Sequence, residues 1–273
     1  MLVLISPAKS LNFEPLDAAL RAHLDAVSPE LPQFEAQAQA LVNIMRKKSA
    51  KSVAEMMDLS PALAELNVTR FKSFLPTETA KLQALTKPAV LAFDGDVYDG
   101  LLASTLDKYV LVNAAQSLRI LSGLYGVLHP LDALQPYRLE MGRSLAIKKN
   151  ITNLYGFWGD VVTQAINQVV AETGAQFVLN AASQEYFKVI RAKKLCVPVI
   201  ECVFEDQKVG EPNSPYKISS FFAKRARGMM ARFVLLNKPK TAKDLQAFCA
   251  DNYAYQPAVS TELKLVFRRA ARK

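Results

Sequence analysis

The sequence predicts a mixed α/β fold in one compact domain, with a mixed sheet, surrounding helices and a helix-hairpin-helix element. Three observations lead there. Short β-rich runs recur along the chain, longer segments between them repeat apolar residues at the helical period, and the two kinds do not alternate regularly. Irregular alternation disfavours a barrel of eight repeated units or a simple doubly wound sheet.

The β-rich runs fall at 2–5, 90–93, 109–112, 177–179, 197–204, 216–218 and 263–267. Helical patterns are clearest at 35–47, 52–57, 61–74, 157–172 and 220–236. The chain has 273 residues, 51% hydrophobic and 22% charged, a balance that supports a large core and excludes disorder. No repeat, low-complexity tract or long linker divides it, and the prolines around 29–32 and 212–215 read as loops, so one domain over 1–273 is expected.

The apolar opening, Met1 to Ile5, runs at once into Pro7 and Lys9, which is no signal peptide. No apolar run approaches the roughly 20 residues that cross a bilayer. A cytoplasmic location is expected, with no membrane partner and no obligate protein partner. Asn67 and Asn150 begin N-x-T sequons, which stay unmodified without secretion. Cys196, Cys202 and Cys249 are odd in number and lack C-x-x-C spacing, so buried reduced thiols are expected.

The net charge of +9 is unevenly spread. Residues 1–185 hold 16 Lys/Arg against 18 Asp/Glu, whereas residues 186–273 hold 18 against 7, a net of +11. A basic surface attracts polyanions because neutralised phosphates release counterions, and nucleic acid is the common cytosolic partner. The alternative is a solvated face that keeps the protein soluble.

Within 52–74, Val53, Met56 and Met57 mark one side of a short helix, Asp58-Leu59-Ser60 breaks it, and Ser60 before Pro61 starts another. Leu63, Leu66, Arg70 and Phe71 then recur at helical spacing. This is the outline of a helix-hairpin-helix, whose second helix presents N–H groups to a phosphate. Lys47, Lys48 and Lys51 lie upstream and Arg70 and Lys72 downstream, but the hairpin lacks the usual glycine. An ordinary packed helical pair is the competing reading.

In the segment 221–234, Phe222, Ala226, Met229 and Phe233 mark a core-facing side. Arg225 and Arg232 share one flank of it, and Lys224 and Arg227 point elsewhere. Lys188, Arg191, Lys193 and Lys194 form a further basic group, and Arg268, Arg269, Arg272 and Lys273 close the chain as a solvated tail.

Catalytic signatures are sparse. There are two histidines, His129 precedes Pro130 in a turn, and no H-E-x-x-H, P-loop or G-x-G-x-x-G occurs. Asp94, Asp96 and Asp99 invite a metal reading, but the calcium-loop pattern fails, and a glycine-rich turn is the better account beside a weak magnesium site. The stretches 122–126 and 136–140 gather small residues, tyrosines and a charged pair at the density of a binding cleft, without naming a reaction.

Together these segments resemble the bacterial peroxide-stress-resistance YaaA family. The matching residues are Ser6-Pro7-Ala8-Lys9, Asn67 with Arg70-Phe71, Phe93 with 95–98, 121–126, 136–142, 157–160, Ser183 with 185–188, and 226–228 with Arg232-Phe233. The resemblance implies a cytoplasmic DNA binder that limits oxidative DNA damage, with a helix-hairpin-helix beside a basic cleft and an effect that keeps free iron low. The sequence has no cluster of His, Cys and carboxylate at ligand spacing, so the iron effect is expected to be indirect and no cofactor or metal site is assigned.

The expected DNA contacts are Lys9, Lys47, Lys48, Lys51, Ser60, Arg70, Lys72, Arg119, Arg138, Lys188, Lys224, Arg225, Arg227 and Arg232, beside a cleft at Ser6, Ser122, Tyr125 and Tyr137. No catalytic residue is assigned. The alternative function is an enzyme acting on a nucleotide or nucleic-acid component around Lys9, Ser122 and Arg138. A third, weaker reading is iron sequestration.

Overall fold

The computed structural model describes residues 1–26, 31–82, 84–211 and 213–271. Parts of the two expected proline loops, together with Arg272 and Lys273, lie outside the described residues.

The LVLI run of Leu2–Ile5 is buried at every position, as a strand covered on both faces must be. It lies inside a seven-stranded sheet. The spatial order is Ala254–Tyr255, Lys264–Arg269, Val199–Asp206, Val178–Ala181, Leu2–Ile5, Leu118–Ser122 and Gly126–Leu128. The inner strands run parallel, and the strand at each edge is antiparallel to its neighbour.

The course of the chain through this sheet positions the site. After Ile5 it leaves for a long helical excursion and re-enters at Leu118 on one side. After Ala181, paired in register with Ile5, it moves to Val199 on the other. Connections that part from adjacent strands leave a crevice beyond their carboxyl ends.

Two expected strands are helical instead. Over 109–112 the carboxylate of Asp107 accepts the amide of Tyr109 at 2.8 Å and starts the helix Lys108–Asn113, so a cap overrides β-branched composition. Over 90–92 the chain lies in the short buried helix Ala89–Ala92 directly after Pro88, and of that run Phe93 alone is extended, beginning the strand Phe93–Asp94. The run at 216–218 contributes a single bridge, Asp206 to Lys217. Conversely, Leu118–Ser122 escapes sequence reading because Arg119 interrupts its apolar run.

The helices Ala50–Met57 and Pro61–Ser73 form the expected pair. Ser49 accepts the amide of Ser52 at 3.2 Å, Ser60 accepts that of Leu63 at 3.4 Å, and Asp58 at φ 54° ends the first helix. The core face of the second helix is Ala64, Asn67, Val68 and Phe71, while Leu63 and Leu66 are exposed, so its apolar side is rotated from the expected one. Arg46, which caps the preceding helix Glu35–Met45, donates to the carbonyls of Phe71 and Phe74 and ties down the far end.

The long basic helix, Ser220–Asn237, buries Ala223, Ala226, Gly228, Met230, Ala231, Val234 and Leu235. Phe222, Met229 and Phe233 are only partly buried, one position off the expected face. Its closest partner is the short helix Asp96–Leu101. A Cβ on Gly228 would lie 1.7 Å from the Val97 carbonyl oxygen, and one on Gly100 would lie 2.0 Å from that of Arg225. Backbone therefore meets backbone there, which brings the start of the short helix up to Lys224.

The expected burial of all three thiols is corrected. Cys202 is buried, and Cys196 and Cys249 are exposed. Nor do Arg268 and Arg269 form a solvated tail. Both lie in the strand Lys264–Arg269, and Arg269 is 4% exposed, bound to Asp206 and Asp251 between the rings of Phe222 and Tyr253.

Candidate nucleic-acid interface and its cavity

The crevice between Ile5 and Ala181 opens into a cavity of about 600 Å³. Its walls come from three places. The turn after the first strand supplies Ser6 and Lys9, the segment after Val178–Ala181 supplies Ser183, Glu185 and Tyr186, and the basic helix supplies Lys224 and Arg227. Asp94, Asp96 and Glu140 complete the charged lining. A cavity of similar size opens at the opposite end of the strands around Met1 and Lys238, with fewer charged groups.

Local bonds hold the walls together. The Oγ of Ser6 accepts the backbone N–H of Ser183 at 2.8 Å, so the two diverging loops are bonded at the crevice floor. The hydroxyl of Tyr98 donates to the Ser6 carbonyl at 3.2 Å. Beneath this floor, Ser122 and Tyr137 share a hydrogen bond of 2.7 Å, and Ser122 also accepts the amide of Tyr125 at 3.0 Å. Burial raises the phenols of Tyr98, Tyr125, Tyr137 and Tyr186, which keeps them protonated.

Glu140 is the central charge, and it is 4% exposed. Its Oε1 accepts Arg138 Nε at 3.2 Å and Nη2 at 3.0 Å, with Arg143 at 3.7 Å and Lys9 Nζ at 4.0 Å. Its Oε2 is buried and has no hydrogen-bond partner among the described residues. Leaving such a group unsatisfied costs about 1–3 kcal/mol, and more when it is charged.

Two further arginines lack carboxylate partners. Arg70 is half-buried, its side chain makes no hydrogen bond or ion pair among the described residues, and it is lowered by burial and then by the Arg138 guanidinium. Arg227 is likewise half-buried without a hydrogen bond or ion pair among the described residues. Burial lowers it, against the raising influence of Cys202 and Glu201. Lys224 is different, because Asp96 sits 3.4 Å away.

The structure therefore sorts the expected site residues. It gathers Ser6, Lys9, Lys224 and Arg227 at the cavity and reaches Arg138 through Glu140, while Arg70 stands outside the lining, near enough to Arg138 to feel its charge. Lys47, Lys48, Lys51 and Lys72 stand on or beside the helical pair with no ion pair among the described residues, and Lys188 lies exposed, 4.9 Å from the Tyr155 ring centre. Ser60 uses its side chain as a cap.

Others fall elsewhere. Ser122 and Tyr125 are fully buried and Tyr137 nearly so, which makes them support for the crevice rather than its lining. Arg119 lines a smaller cavity of about 230 Å³ with His129 and Asp132. Arg225 is exposed outside the cavity lining, and Arg232 donates to the carbonyls of Leu101 and Leu102 at 3.0 Å, closing the end of the short helix. Arg143 was not among the expected residues, although the spacing of Arg138, Glu140 and Arg143 around Gly142 was its available signal.

The architecture is that of an open α/β sheet protein with a charged crevice at the point where its strand connections diverge. The chain belongs to the peroxide stress protein YaaA family, whose model matches residues 1–259. It is 49% identical over 269 residues to a UPF0246 protein of Leptothrix cholodnii, with 98% of each chain covered. A UPF0246 protein of Delftia acidovorans is 47% identical over 272 residues, also covering 98% of each chain. One from Bordetella pertussis is 46% identical over 269 residues, covering 98% of this chain and 99% of the relative. No helix among the described residues is long and apolar enough to cross a membrane.

Proposed function

We propose that this protein binds DNA in the cytoplasm during peroxide stress, holding phosphates through Lys and Arg without reading base edges, and so limits oxidative damage to the DNA. Its effect on free iron is read as indirect. The observation that carries this reading is convergence. Lys9 from the first turn and Lys224 and Arg227 from the basic helix line one crevice, and Arg138 and Arg143 from the central segment join it through Glu140, with Arg70 of the helical pair near enough to Arg138 to feel its charge. Sequence distance does not predict such a gathering, and two of its guanidiniums lack carboxylate partners among the described residues.

Lys47, Lys51 and Lys72, on or beside the helical pair, are exposed and supply further positive charge. In this reading the pair acts as a helix-hairpin-helix, with the amides at the start of Pro61–Ser73 facing a phosphate. The test is a salt titration of binding to duplex, single-stranded and branched DNA. Affinity should fall linearly on a log–log scale, with a slope of about −0.9 per duplex phosphate contacted. Arg70→Ala should flatten that slope by about one contact. Absence of any complex at low ionic strength would overturn the reading.

A further inference from the structure

We propose that the cavity receives one nucleoside monophosphate unit, with its phosphate on Arg227, aided by Lys9 and Lys224, and an N–H of its base on Oε2 of Glu140. The proposal rests on the DNA-binding reading, in which the unit is an unpaired nucleotide turned out of the helix. A free mononucleotide offers the same chemistry.

Two wall groups of opposite character carry the argument. Arg227 is a half-buried guanidinium with no hydrogen bond or ion pair among the described residues. Glu140 concentrates three cations on Oε1 and leaves Oε2 buried without a donor among the described residues. Buried polar groups are normally satisfied, so Glu140 Oε2, without a donor among the described residues, calls for a ligand that donates a hydrogen, and the partly exposed Arg227 guanidinium in the same lining favours one that is anionic at its other end.

A nucleotide meets both demands. Every base carries an N–H on its pairing edge, so a carboxylate oxygen accepts from any of them, and the site needs no sequence preference. Tyr186, also in the wall, is raised by burial and so keeps its own proton to donate. The mixed charge of the cavity fits the same ligand. Asp94, Asp96 and Glu185 would repel a continuous strand of phosphates, whereas one phosphate can occupy the basic side alone. A volume of about 600 Å³ suits a single unit rather than a duplex.

The test compares the full chain on a paired duplex, the same duplex with one bulged nucleotide, and free AMP, GMP, CMP and dTMP by calorimetry. The bulged duplex should bind about tenfold tighter than the paired one, because its unpaired base costs least to turn out. Glu140→Gln and Arg227→Met should each remove that ratio. If Glu140→Gln does not fold, Arg227→Met and the mononucleotide titrations on the parent decide the matter. Equal affinity for both duplexes with no mononucleotide uptake overturns the cavity proposal and leaves the DNA reading intact. Mononucleotide uptake without duplex binding overturns the DNA reading and keeps the cavity. A tenfold ratio that survives in a folded variant removes that residue from the site and overturns the proposal as stated.

Discussion

Around Arg269, two carboxylates, the hydroxyl of Tyr253 on Asp206 and two aromatic rings close on one guanidinium. Around Glu140, three cations crowd onto one carboxylate oxygen and leave the other without a donor among the described residues. Both clusters set arginines against carboxylates, yet one is closed and the other leaves a carboxylate oxygen without a donor among the described residues. The difference teaches that the charge excess of the last third is not all available to a partner. Arg268 is held by Glu205 at 2.8 Å, Arg269 by Asp206 at 2.7 Å, and Arg232 by two carbonyls, whereas Arg227 is left open.

Removing the cation from each cluster tests the contrast most strongly. Arg269→Ala removes the buried cation that Asp206 and Asp251 share and should cost about 3–5 kcal/mol in denaturant unfolding. Arg138→Ala leaves Arg143 and Lys9 on Glu140 and should cost less, about 1–3 kcal/mol. Equal losses would erase the distinction between a closed cluster and an open one.

The pH response sharpens the comparison by asking what happens when a positive charge is added where one already sits. His129 is lowered from 6.5 to about 4, first by burial and then by Arg119. Its unfolded form therefore takes up a proton before the folded form does. The stabilising contribution is fully present above about pH 6.5, falls as the pH drops toward 4, and amounts to about 3 kcal/mol over that window. His129→Gln should flatten the fall, as read from unfolding midpoints between pH 4 and 7.

The smallest expected effect concerns the wall behind Arg227. Burial pushes the Cys202 thiol up to about 12, against the lowering influence of Arg227. A thiol reagent should modify Cys196 and Cys249 in the native protein and spare Cys202, as counted by mass. Rapid labelling of Cys202 would mean that the wall opens, and the contrast with the closed cluster would then rest on motion as well as pairing.

Local signals in the sequence were reliable where they acted within one turn of chain. Ser60 before Pro61, the buried LVLI run and the basic stretch from Lys224 to Arg232 each appear in the structure as the element they imply. They failed where two local preferences competed. Tyr109–Val112 has β-branched composition but follows an aspartate cap, and the cap prevails. The apolar faces of the second paired helix and the basic helix were displaced because side-chain periodicity alone does not say which neighbour will cover them.

The sequence by itself determined the mixed α/β class, the uneven charge and the residue types able to meet an anion, since these follow from composition, caps and short-range periodicity. Only the tertiary structure decided which of those cations are spent and which are left open. Pairing depends on separations of a few ångströms between segments as distant as Lys9, Glu140 and Arg227, brought together by the order of strands in the sheet and by the glycine contact of two helices.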